Sequence, residues 1–88
     1  MKISFDAAKD AANRAKHGVA LADAENLEWD TAWARPDQRR DYGEPRMIGV
    51  GYIGLRLFCV VFTDRGDERR IISLRKANAR EVSDYAQA

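Results

Sequence analysis

Arginine side chains are the most distinctive chemical feature of this 88-residue sequence, because they are concentrated near its C-terminal end. Residues 69–80 carry five basic side chains and no acidic one, a net charge of +5. Guanidinium groups bind phosphate through paired hydrogen bonds and stay charged at any working pH. Arginines held on a strand could therefore stabilise the charge that builds up on a phosphate during cleavage, without a metal. The alternative is a set of ordinary surface ion pairs with the neighbouring acids Asp64, Asp67, Glu68 and Glu81.

Proton transfer and nucleophilic attack have one obvious candidate each. His17 is the only histidine, and histidine is the side chain that titrates near neutral pH. A histidine at the end of a helix is equally explained by its interaction with the helix dipole. Cys59 is the only cysteine and lies in an apolar run at residues 57–62, so we expect it to pack in the core. One histidine and one cysteine, without a recognised ligand spacing, predict no metal site.

Three glycines, Gly49, Gly51 and Gly54, spell the GxGxxG pattern of dinucleotide-binding loops. The pattern lies between two predicted strands and no helix follows it, so the context of a dinucleotide site is missing. We therefore assign these glycines to a hairpin and to sheet twist, and we predict no cofactor.

The composition is that of a globular protein, with 45% hydrophobic and 33% charged residues, and the length suits one domain over residues 1–88. No apolar run approaches the roughly 20 residues that cross a bilayer. Residues 1–6 lack the apolar stretch of a signal peptide, so we expect a cytoplasmic protein that does not bind membranes. Residues 20–45 carry a net charge of −4. This asymmetry suggests that the basic end faces a polyanion.

Capping signals predict three helices. Asp6 is a suitable N-cap, and Gly18 a suitable C-terminal stop, for a helix over residues 7–16. Residues 19–27 are rich in Ala, Leu and Glu and predict a second helix, although Ala20 is a poor cap. The capping box that begins at Asn78 predicts a final helix over residues 79–86.

Alternating and β-branched apolar residues predict about four strands, at residues 29–34, 46–52, 55–63 and 68–75. The segment between the two prolines, residues 36–45, is predicted as a long loop and residues 64–67 as a turn. If the last strand is regular, Arg69 and Arg75 point to one face of the sheet and Arg70 to the other. The predicted class is α+β, with two N-terminal helices, an antiparallel sheet and a C-terminal helix.

Several short motifs occur in an order and at spacings that resemble one known family. They are Asn13-x-x-Lys16-His17-Gly18-Val19, Glu44-x-Arg46, Thr63-x-Arg65 and Arg70-Ile71-Ile72-Ser73-x-Arg75-x-Ala77-x-x-x-Glu81-x-x-x-Tyr85. The ordered set spans residues 5–85 and resembles the BrnT toxins. The resemblance implies a RelE-like fold and an endoribonuclease toxin of a type II toxin-antitoxin pair. It further implies metal-independent mRNA cleavage, in which a ribose 2′-hydroxyl attacks the adjacent phosphate.

The resemblance also implies a partner, a BrnA-type antitoxin whose ribbon-helix-helix part binds operator DNA. The chain would then meet DNA only through this antitoxin. An obligate partner predicts an exposed apolar patch, for which Trp29, Trp33 and Tyr52 are candidates. The same aromatic side chains could instead fill the core of so small a domain.

On this interpretation we expect a catalytic cluster of cations around the scissile phosphate, formed by Arg46, Arg70 and Arg75. Proton transfer would fall to Glu44 or His17. Flanking RNA phosphates would be bound by the basic residues Lys16, Arg69, Lys76 and Arg80. The alternative is a non-catalytic module that binds RNA or a partner protein and acts as a co-repressor with its antitoxin.

Overall fold

The computed structural model describes residues 1–39 and 41–88 and shows a five-stranded sheet. The strands are β1 (Lys2–Phe5), β2 (Trp33–Pro36), β3 (Met47–Ile53), β4 (Arg56–Arg65) and β5 (Glu68–Lys76). The helices are α1 (Ala7–His17) and α2 (Ala79–Gln87), with two 3-10 helices at Leu21–Asn26 and Trp29–Thr31. Arg40, which belongs to the predicted loop over residues 36–45, lies outside the described residues. Among the helices that are described, none is long and apolar enough to cross a membrane.

Strands β2 to β5 form an antiparallel meander, as predicted. Two-residue turns that begin at Gly54 and Gly66 join β3 to β4 and β4 to β5. Both glycines have positive φ, 61° and 63°, as tight hairpins require. The hairpin role predicted for Gly54 is therefore confirmed. Gly51 has a different role, because a Cβ there would lie 3.0 Å from Leu27 Cδ2 and 3.1 Å from Ala32 Cβ, and these neighbours would have to shift.

The prediction of a four-stranded antiparallel sheet is wrong. Strand β1 adds a fifth strand that pairs in parallel with β5, and the strand order is β1-β5-β4-β3-β2. Four residues that pair with the far end of the chain leave no local signal in the sequence. The strand predicted over residues 29–34 is also wrong at its start, because Trp29 turns inward and packs edge-on against Phe62, with 5.3 Å between ring centres. The α+β class is confirmed.

The second N-terminal helix, predicted over residues 19–27, is likewise wrong as an α-helix. The segment forms a six-residue 3-10 helix, and the buried side chains Leu21, Ala24 and Leu27 recur at every third position. This spacing matches the three residues per turn of a 3-10 helix. Its first amide is satisfied from outside the segment, since Leu21 N donates to Asp10 Oδ1 of α1 at 2.8 Å. A cap supplied by another helix explains why the local capping signal is poor.

The main hydrophobic core lies between the segment of the first 3-10 helix and one face of the sheet. Its largest fully buried aliphatic side chains are Leu21, Val60, Ile71 and Leu74. The opposite side, which we call the second face, has a smaller apolar cluster where α2 packs on it. The side chains of that cluster include Val50, Leu57 and Tyr85.

Asn13 fastens α1 to the half of β5 that β1 does not cover. The pairing of β1 with β5 ends at Ile71, so the main chain of Leu74 has no strand on that side. Asn13 Nδ2 donates to Leu74 O at 2.8 Å, and Asn13 Oδ1 accepts a hydrogen bond from Leu74 N at 3.1 Å. The same Nδ2 donates to Val19 O at 2.8 Å. One side-chain amide thus replaces the missing strand and holds the C-terminal end of α1 beside the sheet.

Candidate functional site

A bulge in β5 decides which arginines share a face of the sheet. Strand β5 has one residue more than its partner β4 where Ile72 interrupts the register. In a regular strand Arg70 and Arg75 would point to opposite faces. The extra residue places both on the second face and leaves Arg69 on the core-facing side. The face assignment expected from a regular strand is wrong for this reason.

Arg46 and Arg70 lie on the second face, and neither has a carboxylate partner in the part of the chain that the structure describes. Arg70 pairs with Thr63 of β4, and Arg46 directly precedes β3 on the other side of that strand. Within residues 1–39 and 41–88, the Nε atoms of both arginines are buried and have no hydrogen-bond partner. The same holds for Oγ of Ser4 in β1, whose register partner in β5 is Arg70. Unpartnered buried donors are rare in native structures, so this group indicates a site for an anion with several acceptor oxygens.

The loop before β3 fixes the position of Arg46. Thr63 Oγ1 donates to Pro45 O at 2.6 Å, and Asp37 N donates to Arg46 O at 2.7 Å. The Arg46 guanidinium lies over the ring of Tyr42, 4.1 Å from its centre, an arrangement that a cation and an aromatic face favour. The main chain on both sides of Arg46 and its side chain are therefore held before any ligand arrives.

Asp37 organises this loop from a buried position. Its side chain is 1% exposed and accepts hydrogen bonds from Arg39 Nε and Nη2, both at 2.8 Å. A third hydrogen bond comes from the Tyr42 hydroxyl at 3.1 Å. These hydrogen bonds, above all those from Arg39, hold the pKa of Asp37 well below its usual value.

The lowered pKa of Asp37 predicts how stability depends on pH. Because its pKa is lower in the folded than in the unfolded chain, ionised Asp37 stabilises the fold above the ordinary aspartate pKa, and this contribution is lost as the pH falls below it. We expect Asp37→Asn to be less stable at neutral pH and to lose less stability on acidification than the wild type. Urea unfolding from neutral pH to about pH 2 measures this, with the exposed Asp23→Asn as a control. If the free energy of unfolding fell equally on acidification in the wild type and in Asp37→Asn, the prediction would be contradicted.

Glu44 is paired with Arg65 and lies close enough to Arg46 and Arg70 for their charges to affect its pKa. Its carboxylate accepts hydrogen bonds from Arg65 Nη2 at 3.0 and 3.1 Å and from Arg65 Nε at 3.2 Å. These bonds above all, and the charges of Arg46 and Arg70 more weakly, lower the pKa of Glu44. Glu44 is therefore ionised at neutral pH, close to the two arginines.

A groove of about 340 Å³ lies further along the second face. Its floor includes Val61 and Cys59, and its basic lining residues come from four parts of the chain: Lys16, His17, Arg35, Arg39 and Arg75. The structure therefore brings Lys16, His17 and Arg75 together. The strand partners of Arg75 and Arg70 are four residues apart on β4, which corresponds to about 13 Å.

Cys59 is poorly suited to act as a nucleophile although it contributes to the groove floor. Only 3% of the residue is exposed. Burial raises the pKa of its thiol to about 11, against a weaker opposing effect of the Arg75 charge. The reactive thiolate is therefore scarce at neutral pH, and the predicted core position of Cys59 is confirmed.

Three of the residues expected to bind flanking phosphates lie away from the groove. Arg69 lies on the core-facing side of β5 and pairs with Asp64 at 2.7 Å. Lys76 is exposed at the end of β5, and Arg80 is exposed in the first turn of α2. Of the four, Lys16 lines the groove.

Sequence reasoning missed Ser4 and Arg65 as members of this site. Ser4 has no usable signal, because a parallel strand of four residues brings it to the site from the start of the chain. Arg65 does have one, since it follows Thr63 by two positions and therefore shares its face of β4.

Comparison with known proteins gives a family match. A family model described as the ribonuclease toxin BrnT of a type II toxin-antitoxin system matches residues 5–81 of the 88. The matched range includes Glu44, Arg46, Arg70 and Arg75. No curated protein matches the chain.

Proposed function

Because the chain belongs to the BrnT family, the ribonuclease toxins of type II toxin-antitoxin systems, we propose that it cleaves mRNA endonucleolytically on the second face of its sheet. The observation that carries this proposal is the pair Arg46 and Arg70, whose buried Nε atoms have no partner among the described residues. An RNA phosphate supplies the charge and the acceptor oxygens that such a pair requires.

The proposed reaction uses the RNA's own 2′-hydroxyl as the nucleophile. The hydroxyl oxygen attacks the adjacent phosphorus, and the bond from phosphorus to the 5′-oxygen of the next nucleotide breaks. Negative charge develops on the phosphate oxygens between Arg46 and Arg70, where fixed cations in a partly buried site stabilise it without a metal. Arg75, about 13 Å along the face, is assigned to the neighbouring phosphate.

Proton transfer is assigned to Glu44, with His17 as the alternative group. Glu44 is the proposed base for the 2′-hydroxyl, which its ionised state and its place beside Arg46 and Arg70 support. His17 lies in the groove with Lys16 and Arg75, about 13 Å along the face from Arg70, so it would act on a phosphate bound at Arg75, and the leaving 5′-oxygen at Arg70 takes its proton from water. These roles make the two side chains separable by mutation.

Glu44→Gln is expected to slow RNA cleavage by about 100-fold without weakening RNA binding, because the amide keeps the shape but cannot accept the proton. The lowered pKa of Glu44 adds a second expectation. The wild-type rate should fall on the acid side only below the usual carboxylate range, because Glu44 remains a base down to that pH. Single-turnover rates as a function of pH measure both effects, with the exposed Glu25→Gln as the matched control. Equal rates for Glu44→Gln and Glu25→Gln would remove Glu44 from the mechanism.

The function itself is tested with the purified chain and a defined RNA in the presence of EDTA. Attack by the 2′-hydroxyl predicts products with a 2′,3′-cyclic phosphate and a 5′-hydroxyl, and a single 2′-deoxy nucleotide at the cleaved position should block the cut. Binding without cleavage across several RNAs would instead favour a non-catalytic module that acts with its antitoxin. Cleavage that requires an added divalent metal would refute the proposed chemistry.

Membership of the family implies an antitoxin partner. We propose a BrnA-type antitoxin with a ribbon-helix-helix part, so that this cytoplasmic toxin meets operator DNA through it. Of the aromatic candidates for an interface, Trp29 packs in the core and Tyr52 packs edge-on against Tyr85. Trp33, on edge strand β2, remains 37% exposed and is the aromatic side chain that best fits a partner surface.

A further inference from the structure

Carboxylates of the chain itself already occupy some of the cations on the second face. Arg75 Nη1 and Nη2 donate to the two oxygens of Glu81, both at 2.8 Å. This two-point geometry is the one by which arginine also binds a phosphate. Arg75 therefore differs from Arg46 and Arg70, which have no carboxylate partner among the described residues. The second face therefore carries arginines that are open to an anion and an arginine that is already paired with a carboxylate of the chain.

Glu81 is the acid that lines the otherwise basic groove. Its side chain is 18% exposed and that of Arg75 is 35% exposed, so the pair lies in the groove wall rather than in bulk solvent. The hydrogen bonds from Arg75 lower the pKa of Glu81, and the carboxylate is therefore charged at neutral pH. RNA that enters the groove meets a negative charge at the position where a phosphate would contact Arg75.

The helix that carries Glu81 is attached to the sheet by few side chains. Helix α2 has no buried residue. Its Tyr85 hydroxyl donates to Thr31 O at 3.1 Å, and its first turn is closed by the capping box of Asn78 and Glu81. In this box Glu81 Oε1 accepts a hydrogen bond from Asn78 N at 2.9 Å. The cap therefore holds the carboxylate in place even when Arg75 does not.

We propose that Glu81 acts as a built-in substitute for an RNA phosphate, occupying Arg75 and so limiting the affinity of the groove for RNA. An RNA phosphate binds Arg75 only in exchange for this carboxylate. The inference rests on the proposed function, because it takes RNA as the polyanion that enters the groove. It adds a residue that sets affinity and that is not part of the cleavage chemistry.

The test compares Glu81→Gln with wild type in binding a short single-stranded 2′-O-methyl RNA, which cannot be cleaved by 2′-hydroxyl attack. Glutamine removes the charge but can still complete the capping box. One additional phosphate contact to single-stranded RNA should steepen the dependence of log K on log salt by about 0.7 and tighten binding about five-fold at 0.1 M salt. Adding Arg75→Gln to Glu81→Gln should abolish both changes.

Asp64→Asn is the matched control, because it also removes one negative charge that is paired with an arginine, but on the core-facing side. If Asp64→Asn steepened the salt dependence as much as Glu81→Gln, a general charge effect would replace the inference. An unchanged slope in a folded Glu81→Gln protein would overturn it outright. If Glu81→Gln does not fold, Arg75→Gln alone tests the inference. If Arg75→Gln weakened RNA binding as much as Arg70→Gln does, Glu81 would not occupy Arg75 and the inference would be wrong.

The same measurement separates this inference from the proposed function. Wild-type binding that does not depend on Arg70 would refute the RNA site itself. Binding that depends on Arg70, but with no effect of Glu81→Gln, would refute the role of Glu81 and leave the site intact.

Discussion

Arg70→Ala should reduce RNA cleavage by about 1,000-fold in a protein that remains folded. The reason is that Arg70 is one of two partly buried cations at the proposed scissile phosphate, and its buried Nε has no partner among the described residues. Loss of one preorganised donor at a developing oxyanion costs about 100- to 1,000-fold in rate, and here a full charge is lost with it. Single-turnover cleavage of a defined RNA in EDTA measures the effect, with circular dichroism as the check on folding.

The neighbouring residue provides the control. Arg69 lies on the core-facing side, where its guanidinium is over the rings of Trp29 and Phe62 at 4.7 and 4.3 Å and pairs with Asp64. Arg69→Ala should therefore lower the free energy of unfolding by about 1–2 kcal/mol and leave cleavage unchanged. If Arg69→Ala abolished cleavage while Arg70→Ala spared it, the assignment of the two faces would be wrong.

The largest loss of stability is expected from Asn13→Ala. The substitution removes three hydrogen bonds and leaves the amide and carbonyl of Leu74 and the carbonyl of Val19 unsatisfied in a buried place. Each such group costs about 1–3 kcal/mol, so we expect the three to cost at least about 3 kcal/mol, a large part of the 5–15 kcal/mol that stabilises a typical domain. The melting temperature should fall by on the order of 20 °C.

Thermal and urea unfolding measure this loss. Asn26→Ala is the matched control, because Asn26 is an exposed asparagine at the end of the first 3-10 helix. Its substitution should change stability by less than about 0.5 kcal/mol. One ordinary hydrogen bond contributes about 1 kcal/mol. If the free energy of unfolding of Asn13→Ala were within about 1 kcal/mol of the wild-type value, water would have to replace the amide at the edge of β5.

Local signals predict the parts of this fold that are held together locally. The caps Asp6 and Gly18 bound α1, the capping box at Asn78 begins α2, and Gly54 turns a hairpin, all as predicted. The prediction fails where a distant group decides the conformation. Asp10 caps the 3-10 helix from α1, and β1 forms because the far end of the chain offers it an edge.

The candidate site divides in the same way. Arg46, Arg70 and Glu44 follow from residue type and motif spacing, and the structure places them near one another. The sequence alone does not show that Arg70 belongs to the site and Arg69 does not, because this depends on which face of the sheet each side chain occupies. It also could not identify Ser4, which a nonlocal parallel pairing brings to the site.

The extra residue in β5 determines which arginines lie together on the second face. Arg70 and Arg75 are separated by an odd number of positions, and only an insertion in the strand lets an odd separation end on the same side. Deleting Ile72 would remove the bulge and shorten the separation to four positions at the same time, so both arginines would stay on the second face. In related sequences that keep both arginines on this face, an odd interval between them should therefore come with a bulge and an even interval with a regular strand.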